Sequence, residues 1–451
     1  MRPYGFTRKT LVPLASAMTL AAATTVGALA APKETVLYSF KAGTSDGAYP
    51  SQDVIRDSQG NIYGMTQEGG ALNAGVVYKV APDGTETVLH SFVGGANDGS
   101  SPNGAPLLDK HGNLYGATIY GGAANSGVVF KLAPNGKLTL LHSFTGKDDG
   151  ANPQGALLVD AAGNLYGAAS LGGESTCSIK GFPAGSGCGT LWKLAPDGTF
   201  TVLHTFENPD KEGAIPQGSL NADAQGNLYG VTEISGEAKQ CLADTFENGC
   251  GTVFKLTSSG VFSLLHTFTG GSDGGIPYGG LTADAQGNLY GSTIGGGNDK
   301  LCVGTGGDDG RGCGTLFKLS PEGTLTTLYT FTGGADGSSP TSRLIGDCDG
   351  NRYGTADFGG DVKAKACAQS DGVSGCGAVF KLSASGAFSV LYTFQGSPKD
   401  GAGPIFTGVV ADSAGNLYGA TSSGGADGVG TVYKLTDTGF ATTGKACSSA
   451  P

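Results

Sequence analysis

The sequence predicts an all-β fold built from seven similar antiparallel sheets. An N-x-Y-G motif occurs seven times, and successive copies are 52, 51, 63, 61, 63 and 65 residues apart. Each period contains four short apolar segments separated by turn sequences, and 82 of the 451 residues are glycine, which suits tight turns. Four-stranded units that recur roughly every 40 to 65 residues are typical of β-propellers. We therefore predict a seven-bladed β-propeller of four-stranded antiparallel blades.

The strand pattern is clearest in the second period, where segments A to D are 104–109, 113–118, 127–132 and 138–144. All four are short, apolar and rich in β-branched or aromatic residues, which favour strands. The A–B connection contains D-x-x-G-N and the C–D connection contains A-P-D-G or a relative of it, and both favour tight turns. Consecutive hairpins give a four-stranded meander. The alternative is an open β-solenoid, whose coils are shorter and parallel.

The two chain ends indicate how the ring closes. The segment ETVLYSF (34–40) has the pattern of a D strand but precedes the first A strand, and the last period ends after its C strand at residue 435. We therefore expect the N-terminal strand 34–40 to complete the last blade. GFATTG (439–444) is the weaker candidate for that edge.

The first 30 residues predict a secretory signal peptide. Arg2, Arg8 and Lys9 precede an apolar run over 11–30 that ends in Ala-Leu-Ala, the A-x-A form of a cleavage site. A membrane anchor is the alternative, and no other stretch is long and apolar enough to span a bilayer. The expected organisation is a signal over 1–30, a propeller over 31–435 and a tail over 436–451, in a secreted or periplasmic monomer.

The charge balance argues against a nucleic-acid partner. The chain has a net charge of −11, which becomes −14 once the three positive charges of the leader are removed. Only 14% of the residues are charged. An acidic surface repels phosphate backbones, so we expect no nucleic-acid binding.

The repeat also resembles a known family. The G-N-L-Y-G-x-T and G-x-V-F-K-L motifs resemble the Glo-Ver tandem repeat of exported bacterial proteins, over nearly the whole mature chain. The D-x-x-G-N-L-Y core is similar to NHL-type propeller repeats. The resemblance implies a propeller, and it implies no activity or catalytic residues.

The cysteines mark one rim of the predicted ring. Alternating strands place the A–B and C–D turns on one rim, the bottom, and the B–C and D–A loops on the other, the top. The B–C loops of units three to six are long and contain two cysteines each, so we predict four local disulfides, each stabilising by about 2–3 kcal/mol. Zinc binding is the alternative, but C-x-x-C spacings are absent. The four pairs are Cys177 with Cys188, Cys241 with Cys250, Cys302 with Cys313, and Cys367 with Cys376.

The two remaining cysteines lie on the bottom. Cys348 is in the A–B turn of unit six and Cys447 is in the C-terminal tail, one blade away. A bridge between them would staple the tail to the ring.

The top rim also carries two rings of polar residues. An acid begins each D-G-x-x-P motif, which would either hold cations or sugar hydroxyls or simply cap turns. The acids are Asp46, Asp98, Asp149, Glu212, Asp273, Asp336 and Asp400. Just after each proline, strand A enters the central channel with residues that suit a neutral polar ligand or a water-filled channel. These candidate ligand-binding residues are Ser51, Asn103, Gln154, Gln217, Tyr278 and Thr341, with Ile405 in the seventh unit.

Catalytic patterns are sparse. Four histidines share a strand D register that holds tyrosine in other units, which indicates a structural slot rather than a zinc or Ser-His-Asp site. Asp347, Asp349 and Asn351 give a weak hint of calcium, but the loop is too short for an EF-hand; otherwise we expect no cofactor or metal. The acids in or beside the long loops are candidates for acid–base work, but nothing in their spacing singles out a pair, and solvated loop charge is the favoured interpretation. They are Asp308, Asp309, Glu233, Glu237 and Asp357.

Two function hypotheses follow from these patterns. In the first, the protein is an exported binding or interaction propeller that uses its top rim for a glycan or an extracellular protein. In the second, it is a carbohydrate-active lyase or hydrolase with carboxylates at the same rim. The pattern favours the binder, because no catalytic set is evident. Capping of the channel mouth is the purely structural alternative for the long loops.

Overall fold

The computed structural model describes residues 31–50, 52–173, 176–179, 181–234, 249–297, 312–361, 367 and 375–444. These residues form seven four-stranded antiparallel sheets and one short helix, Pro209–Glu212. No helix within the described ranges is long and apolar enough to cross a membrane. The predicted all-β propeller is confirmed.

The blades follow one another along the chain, each in the order A, B, C, D. Blade 1 contains Ile55–Arg56, Ile62–Thr66, Val76–Val80 and Glu86–Ser91. Blade 2 contains Gly99–Leu108, Leu114–Gly121, Val128–Leu132 and Leu138–Ser143. Blade 3 contains Ala151–Val159, Leu165–Leu171, Thr190–Leu194 and Phe200–Thr205. Blade 4 contains Ala214–Ala222, Leu228–Ile234, Thr252–Leu256 and Phe262–Thr267.

The remaining blades depart slightly from this plan. In blade 5, strand A is split into Gly275–Pro277 and Thr282–Ala283, followed by Leu289–Gly295, Thr315–Leu319 and Leu325–Thr330. Blade 6 contains Ile345–Gly346, Arg352–Ala356, Ala378–Leu382 and Phe388–Thr393. Blade 7 contains Val409–Ala411, Leu417–Thr421, Thr431–Thr436 and, from the other chain end, Lys33–Ser39. Two-residue ladders extend blade 1 (Gly47–Ala48 with Glu68–Gly69) and blade 7 (Gly401–Ala402 with Ser423–Gly424).

The N-terminal strand closes the ring as predicted. Lys33–Ser39 runs antiparallel to Thr431–Thr436, with Lys33 opposite Thr436 and Ser39 opposite Thr431. The weaker candidate, residues 439–444, does not form this edge. It lies instead against the bottom of blade 6, where the Cys348 N–H donates to the Ala441 carbonyl at 2.9 Å.

The repeated D-x-x-G-N-x-Y motif builds the bottom turns. In blade 2, Asp109 Oδ1 accepts from the N–H groups of His111 and Asn113, and Oδ2 accepts from Asn113 Nδ2 and the Tyr115 hydroxyl at 2.7 and 3.2 Å. Partial burial opposes ionisation, but these hydrogen bonds outweigh it and hold the pKa of Asp109 below its usual value. The same bonds recur in every blade, which explains why the motif repeats.

A shared clasp joins neighbouring blades at the top. The residue before the proline of D-G-x-x-P has a φ of 51° to 58°, rare for residues other than glycine, and its N–H donates to the B–C loop of the preceding blade. The next loop residue is a glycine; at Gly127, a Cβ would lie 2.5 Å from Cδ of Pro153. The donor–acceptor pairs are Tyr49 to Val429, Ser101 to Ala74, Asn152 to Ser126, Ile215 to Cys188, Ile276 to Cys250, Ser339 to Cys313, and Gly403 to Cys376.

Aromatic residues fill the core between the blades. The phenylalanine that follows each D strand is fully buried and packs edge-on against an aromatic ring of strand C in the next blade. At the closure, Phe40 packs on Tyr78 with ring centroids 5.0 Å apart, so the N-terminal segment is sealed like every other seam.

Candidate functional site

The acidic ring on the top rim is used by the fold. In the connection between blades 2 and 3, Asp149 accepts from His142 Nε2 at 3.0 Å and from the Thr145 N–H. In the connection between blades 5 and 6, Asp336 accepts from the Tyr329 hydroxyl at 2.9 Å. Histidine and tyrosine are interchangeable in this slot because each can donate to the acid at the next turn; at His204 the acid, Glu212, is 3.8 Å away. The turn-capping alternative accounts for these contacts, and it also explains the histidine register.

The central channel is closed by main chain. A Cβ at Gly155 would collide with the carbonyl of Gly218, so neighbouring A strands approach at backbone distance. The cavity left between them measures about 30 Å³, which is room for about one water molecule. A ligand larger than water would therefore have to rest on the mouth of the channel.

The predicted mouth residues have different surroundings. Asn103 Oδ1 accepts from the Gly155 N–H and Thr341 Oγ1 accepts from the Phe406 N–H at 2.8 Å, so both tie neighbouring blades together. Gln154 donates to Ser170 within its own blade at 3.2 Å. Ser51 lies outside the described residues, and Ile405 faces a separate cleft between blades 6 and 7.

Gln217, Tyr278 and Thr341 also belong to an asymmetric set in blades 4 to 7, which we term the mouth cluster. Its members are Gln217, Glu233, Tyr278, Thr341, Asp357 and Phe406. Gln217 Nε2 donates to Glu233 Oε2 at 2.8 Å, and the Thr341 hydroxyl donates to Asp357 Oδ1 at 2.7 Å. The rings of Tyr278 and Phe406 stack with centroids 4.5 Å apart and an interplanar angle of 23°.

Charges converge on the tyrosine of this cluster. Burial, and then the charges of Glu233 and Asp357, raise the pKa of the Tyr278 hydroxyl, which keeps it protonated. Burial also raises the pKa of Asp357 well above its usual value, against the opposing hydrogen bond from Thr341. Two carboxyl groups, one from blade 4 and one from blade 6, thus act on one phenol from blade 5.

Sequence reasoning missed a second charged pair in the channel. Asp53 and Arg343 line the cavity, and the Gly408 N–H donates to Asp53. Burial raises the pKa of Asp53 to about 6, although this hydrogen bond and the Arg343 charge oppose the shift. The signal was present, because both residues stand three positions after the repeated proline, where the other blades have Ala, Ser, Gly or Thr.

The disulfides lie where the blades are joined. Cys177 bonds to Cys188 and Cys367 to Cys376, with Cα atoms 5.8 and 5.2 Å apart. Cys250, Cys313 and Cys348 are also disulfide-bonded. Their predicted partners, Cys241, Cys302 and Cys447, lie outside the described residues, as do the acids Glu237, Asp308 and Asp309.

Within the described ranges, no group of three or more His, Cys, Asp or Glu side chains is arranged to hold a metal. The carboxylate of Asp347, the centre of the calcium hint, accepts hydrogen bonds from Asn351, Tyr353 and the Ala441 N–H. Its oxygens serve the turn and the C-terminal tail.

Comparison with protein families gives a clear match. The model of the Gloeobacter/Verrucomicrobia repeat matches residues 21–242, 178–301 and 240–364. The chain belongs to the Gloeobacter/Verrucomicrobia repeat family. This result confirms the resemblance drawn from the motifs. Among curated proteins, none matches the sequence of this family member.

Several solved structures are similar to this Gloeobacter/Verrucomicrobia repeat protein. Virginiamycin B lyase from Staphylococcus aureus is 11% identical, with a TM-score of 0.49 over 90% of this chain and 98% of the lyase. A luciferin-regenerating enzyme is 13% identical, with a TM-score of 0.45 over 92% of this chain and 98% of the enzyme. A gluconolactonase from Xanthomonas campestris is 13% identical, with a TM-score of 0.40 over 88% of this chain and 97% of the gluconolactonase. At these values the likeness carries no argument about activity.

Proposed function

We propose that the protein is an exported binding propeller that holds a glycan at the top mouth of the ring, against the mouth cluster. The leader-like N-terminus and the disulfides support an extracellular or periplasmic setting, since disulfides persist in oxidising compartments. The B strands of blades 3 to 6 end, and their C strands begin, at the same rim as the cluster, so the long B–C connections join the ring there. Braced loops on a rigid scaffold are a common place for ligand binding.

One unsatisfied atom carries the proposal. Gln217 is only 5% exposed and lines the channel cavity, and its Oε1 has no hydrogen-bond partner among the described residues. A buried acceptor without a partner costs about 1–3 kcal/mol. A ligand hydroxyl that donates to Oε1 would recover this energy.

The surroundings of Gln217 suit a sugar. The stacked rings of Tyr278 and Phe406 provide an apolar surface for the C–H face of a sugar ring, while the carboxyl groups of Glu233 and Asp357 accept hydroxyl donors. Because the channel holds about one water molecule, the ligand would sit across the mouth rather than thread the ring.

The test is a glycan array run beside a polysaccharide degradation screen on the purified mature chain. We expect binding to defined glycans without turnover, and at least a tenfold loss of affinity in Gln217→Leu and Tyr278→Ala. Gln154→Leu is the matched control, since Gln154 has the same register in blade 3 but lies outside the mouth cluster, and its Oε1 is not among the buried acceptors without a partner. Equal loss in the control, or no binding at all, would refute the assignment.

The arrangement of the carboxyl groups favours a second candidate, a carbohydrate-active hydrolase or lyase. Glu233 and Asp357 are held by hydrogen bonds from Gln217 and Thr341 in the same cluster as Tyr278, and the raised pKa of Asp357 is a property of general acids. Turnover in the degradation screen that disappears in Glu233→Gln and Asp357→Asn would establish the enzyme and reject the pure binder.

A further inference from the structure

A second cavity lies beside the mouth cluster, between the top ends of blades 6 and 7, and we term it the cleft 6/7. Its volume is about 200 Å³, equivalent to roughly six or seven water molecules. Its walls include Asp357, Phe358, Ile405 and Ser423, together with the Cys367–Cys376 disulfide. Since drug-sized ligands occupy about 300–1,000 Å³, this cleft fits a smaller molecule.

At the cleft, blade 7 has small residues at two positions where most other blades have larger ones; in the first register only Gly295 of blade 5 is smaller than Ser423. In the ladder that extends each blade at the top, Ser423 pairs with Ala402, just as Tyr120 pairs with Ser100 and Phe358 with Ser338. Gly403 likewise takes a position that holds a larger side chain in every other blade. The residues in the Ser423 register are Glu68, Tyr120, Leu171, Ile234, Gly295 and Phe358. The residues in the Gly403 register are Tyr49, Ser101, Asn152, Ile215, Ile276 and Ser339.

The polar anchor of the cleft is held in one orientation. Asp357 is 2% exposed, and its Oδ1 accepts from the Thr341 hydroxyl at 2.7 Å. Thr341 Oγ1 in turn accepts from the Phe406 N–H at 2.8 Å, so the carboxyl is fixed by a two-step relay to the backbone of blade 7. A buried polar group held this way is pre-organised for a ligand.

The lining selects the chemical class of the ligand. Phe358 and Ile405 supply apolar surface, Asp357 and Ser423 supply hydrogen-bonding groups, and the described lining contains no Lys, Arg or His. Among the described lining residues, an anionic ligand would meet the Asp357 carboxyl group and no compensating cation, which disfavours phosphates and carboxylates. A small neutral molecule with one apolar face and several hydroxyls satisfies both walls.

We propose that the cleft 6/7 is a second subsite of the glycan-binding mouth, which takes one neutral sugar unit with Asp357 as its hydrogen-bonding anchor. This inference rests on the proposed function for the ligand class. Asp357 borders both the mouth cluster and the cleft, so a glycan across the mouth would place its terminal unit between blades 6 and 7.

The test uses calorimetric titration with methyl glycosides of glucose, galactose, mannose and N-acetylglucosamine, and with glucosamine and glucose 6-phosphate as charged probes. We expect a neutral glycoside to bind the wild-type protein, and Ser423→Leu to raise its Kd at least tenfold. Leucine already occupies this register at Leu171, so S423L is compatible with the fold. Tyr120→Leu, in the same register of blade 2, is the matched control and should leave the Kd unchanged.

The outcomes separate this inference from the proposed function. If Gln217→Leu abolishes glycoside binding while S423L does not, the sugar occupies the mouth alone, and the cleft is refuted while the glycan-binding function stands. If none of the neutral glycosides binds, the cleft is refuted, and the glycan array decides the mouth independently. Tighter binding of glucosamine or glucose 6-phosphate than of every neutral glycoside would overturn the assigned ligand class. Asp357→Ala should lower the affinity for the glycoside as S423L does. An affinity equal to that of the wild-type protein would refute the role of Asp357 as the anchor.

Discussion

Phe40→Ala tests how much of the stability depends on the N-terminal strand. Phe40 is fully buried at the seam between blades 7 and 1, with ring centroids 5.2 Å from Tyr38 and 5.0 Å from Tyr78. Replacing a buried phenylalanine by alanine costs about 3–5 kcal/mol. Because whole proteins are stable by only about 5–15 kcal/mol, this change alone should bring the ring close to unfolding.

Urea denaturation followed by circular dichroism measures the effect. With an m-value of about 3 kcal/mol/M or more, the midpoint should fall by roughly 1 M. Phe206→Ala is the matched control, since Phe206 occupies the same position at the seam between blades 3 and 4 and is equally buried. Val261→Ala, at a side chain that is 61% exposed, should change the stability by less than about 0.5 kcal/mol. If F206A is costly and F40A is not, the N-terminal strand does not seal the ring, and the closure argument is wrong.

Three further predictions concern other repeated positions. Burial, and then the charge of Asp400, raise the pKa of Glu34 to about 8, so the folded state keeps a proton that the unfolded chain loses. The stability of the folded state should therefore fall as the pH rises from about 4.5 to 8. Glu34→Gln should be more stable than the wild-type protein at pH 8 but not at pH 4, and identical pH profiles of the melting temperature for the two proteins would contradict this. Gly127→Ala should destabilise by about 1–3 kcal/mol in urea, because its φ is 98° and a Cβ would strike Pro153; a neutral result would show that the clasp can relax. His142→Tyr should alter the melting temperature little, since Tyr329 fills the same slot in another blade, whereas Asp149→Ala should lower it clearly by removing the acceptor of His142 and of the Thr145 N–H; equal effects of the two changes would reject the shared slot.

The repeat made most of the fold predictable. Strand order, turn chemistry and ring closure all follow from local patterns that recur seven times, so a misjudged position in one blade is corrected by its sisters. Strand 34–40 could be assigned to the last blade because it carries the D-strand pattern without an A strand before it. The histidine register could be separated from catalysis because tyrosine alternates with it.

The candidate site was less accessible to sequence reasoning. Gln217, Tyr278 and Thr341 were expected at the mouth, but Glu233 and Asp357 were grouped with the loop acids. Each lies 16 residues after its partner, at the end of strand B, and only the A–B ladder brings the two together. The narrowness of the channel had no signal in the sequence, because how closely the A strands approach depends on glycines such as Gly155 whose role appears only in three dimensions.

The clasp between blades also separates what must stay constant from what can vary. The last two residues of each B–C loop contact the next blade: a residue whose carbonyl accepts the clasp hydrogen bond, and a glycine. In four consecutive seams the first of these is a cysteine such as Cys188 or Cys376. The sequence upstream of this pair differs in length and composition from blade to blade, while the clasp itself is the same in every seam. During evolution, the B–C loops on one half of the top rim could therefore diverge one blade at a time while the contacts between blades stay the same. The disulfide-bonded cysteine would hold each altered loop at the point where it rejoins the ring.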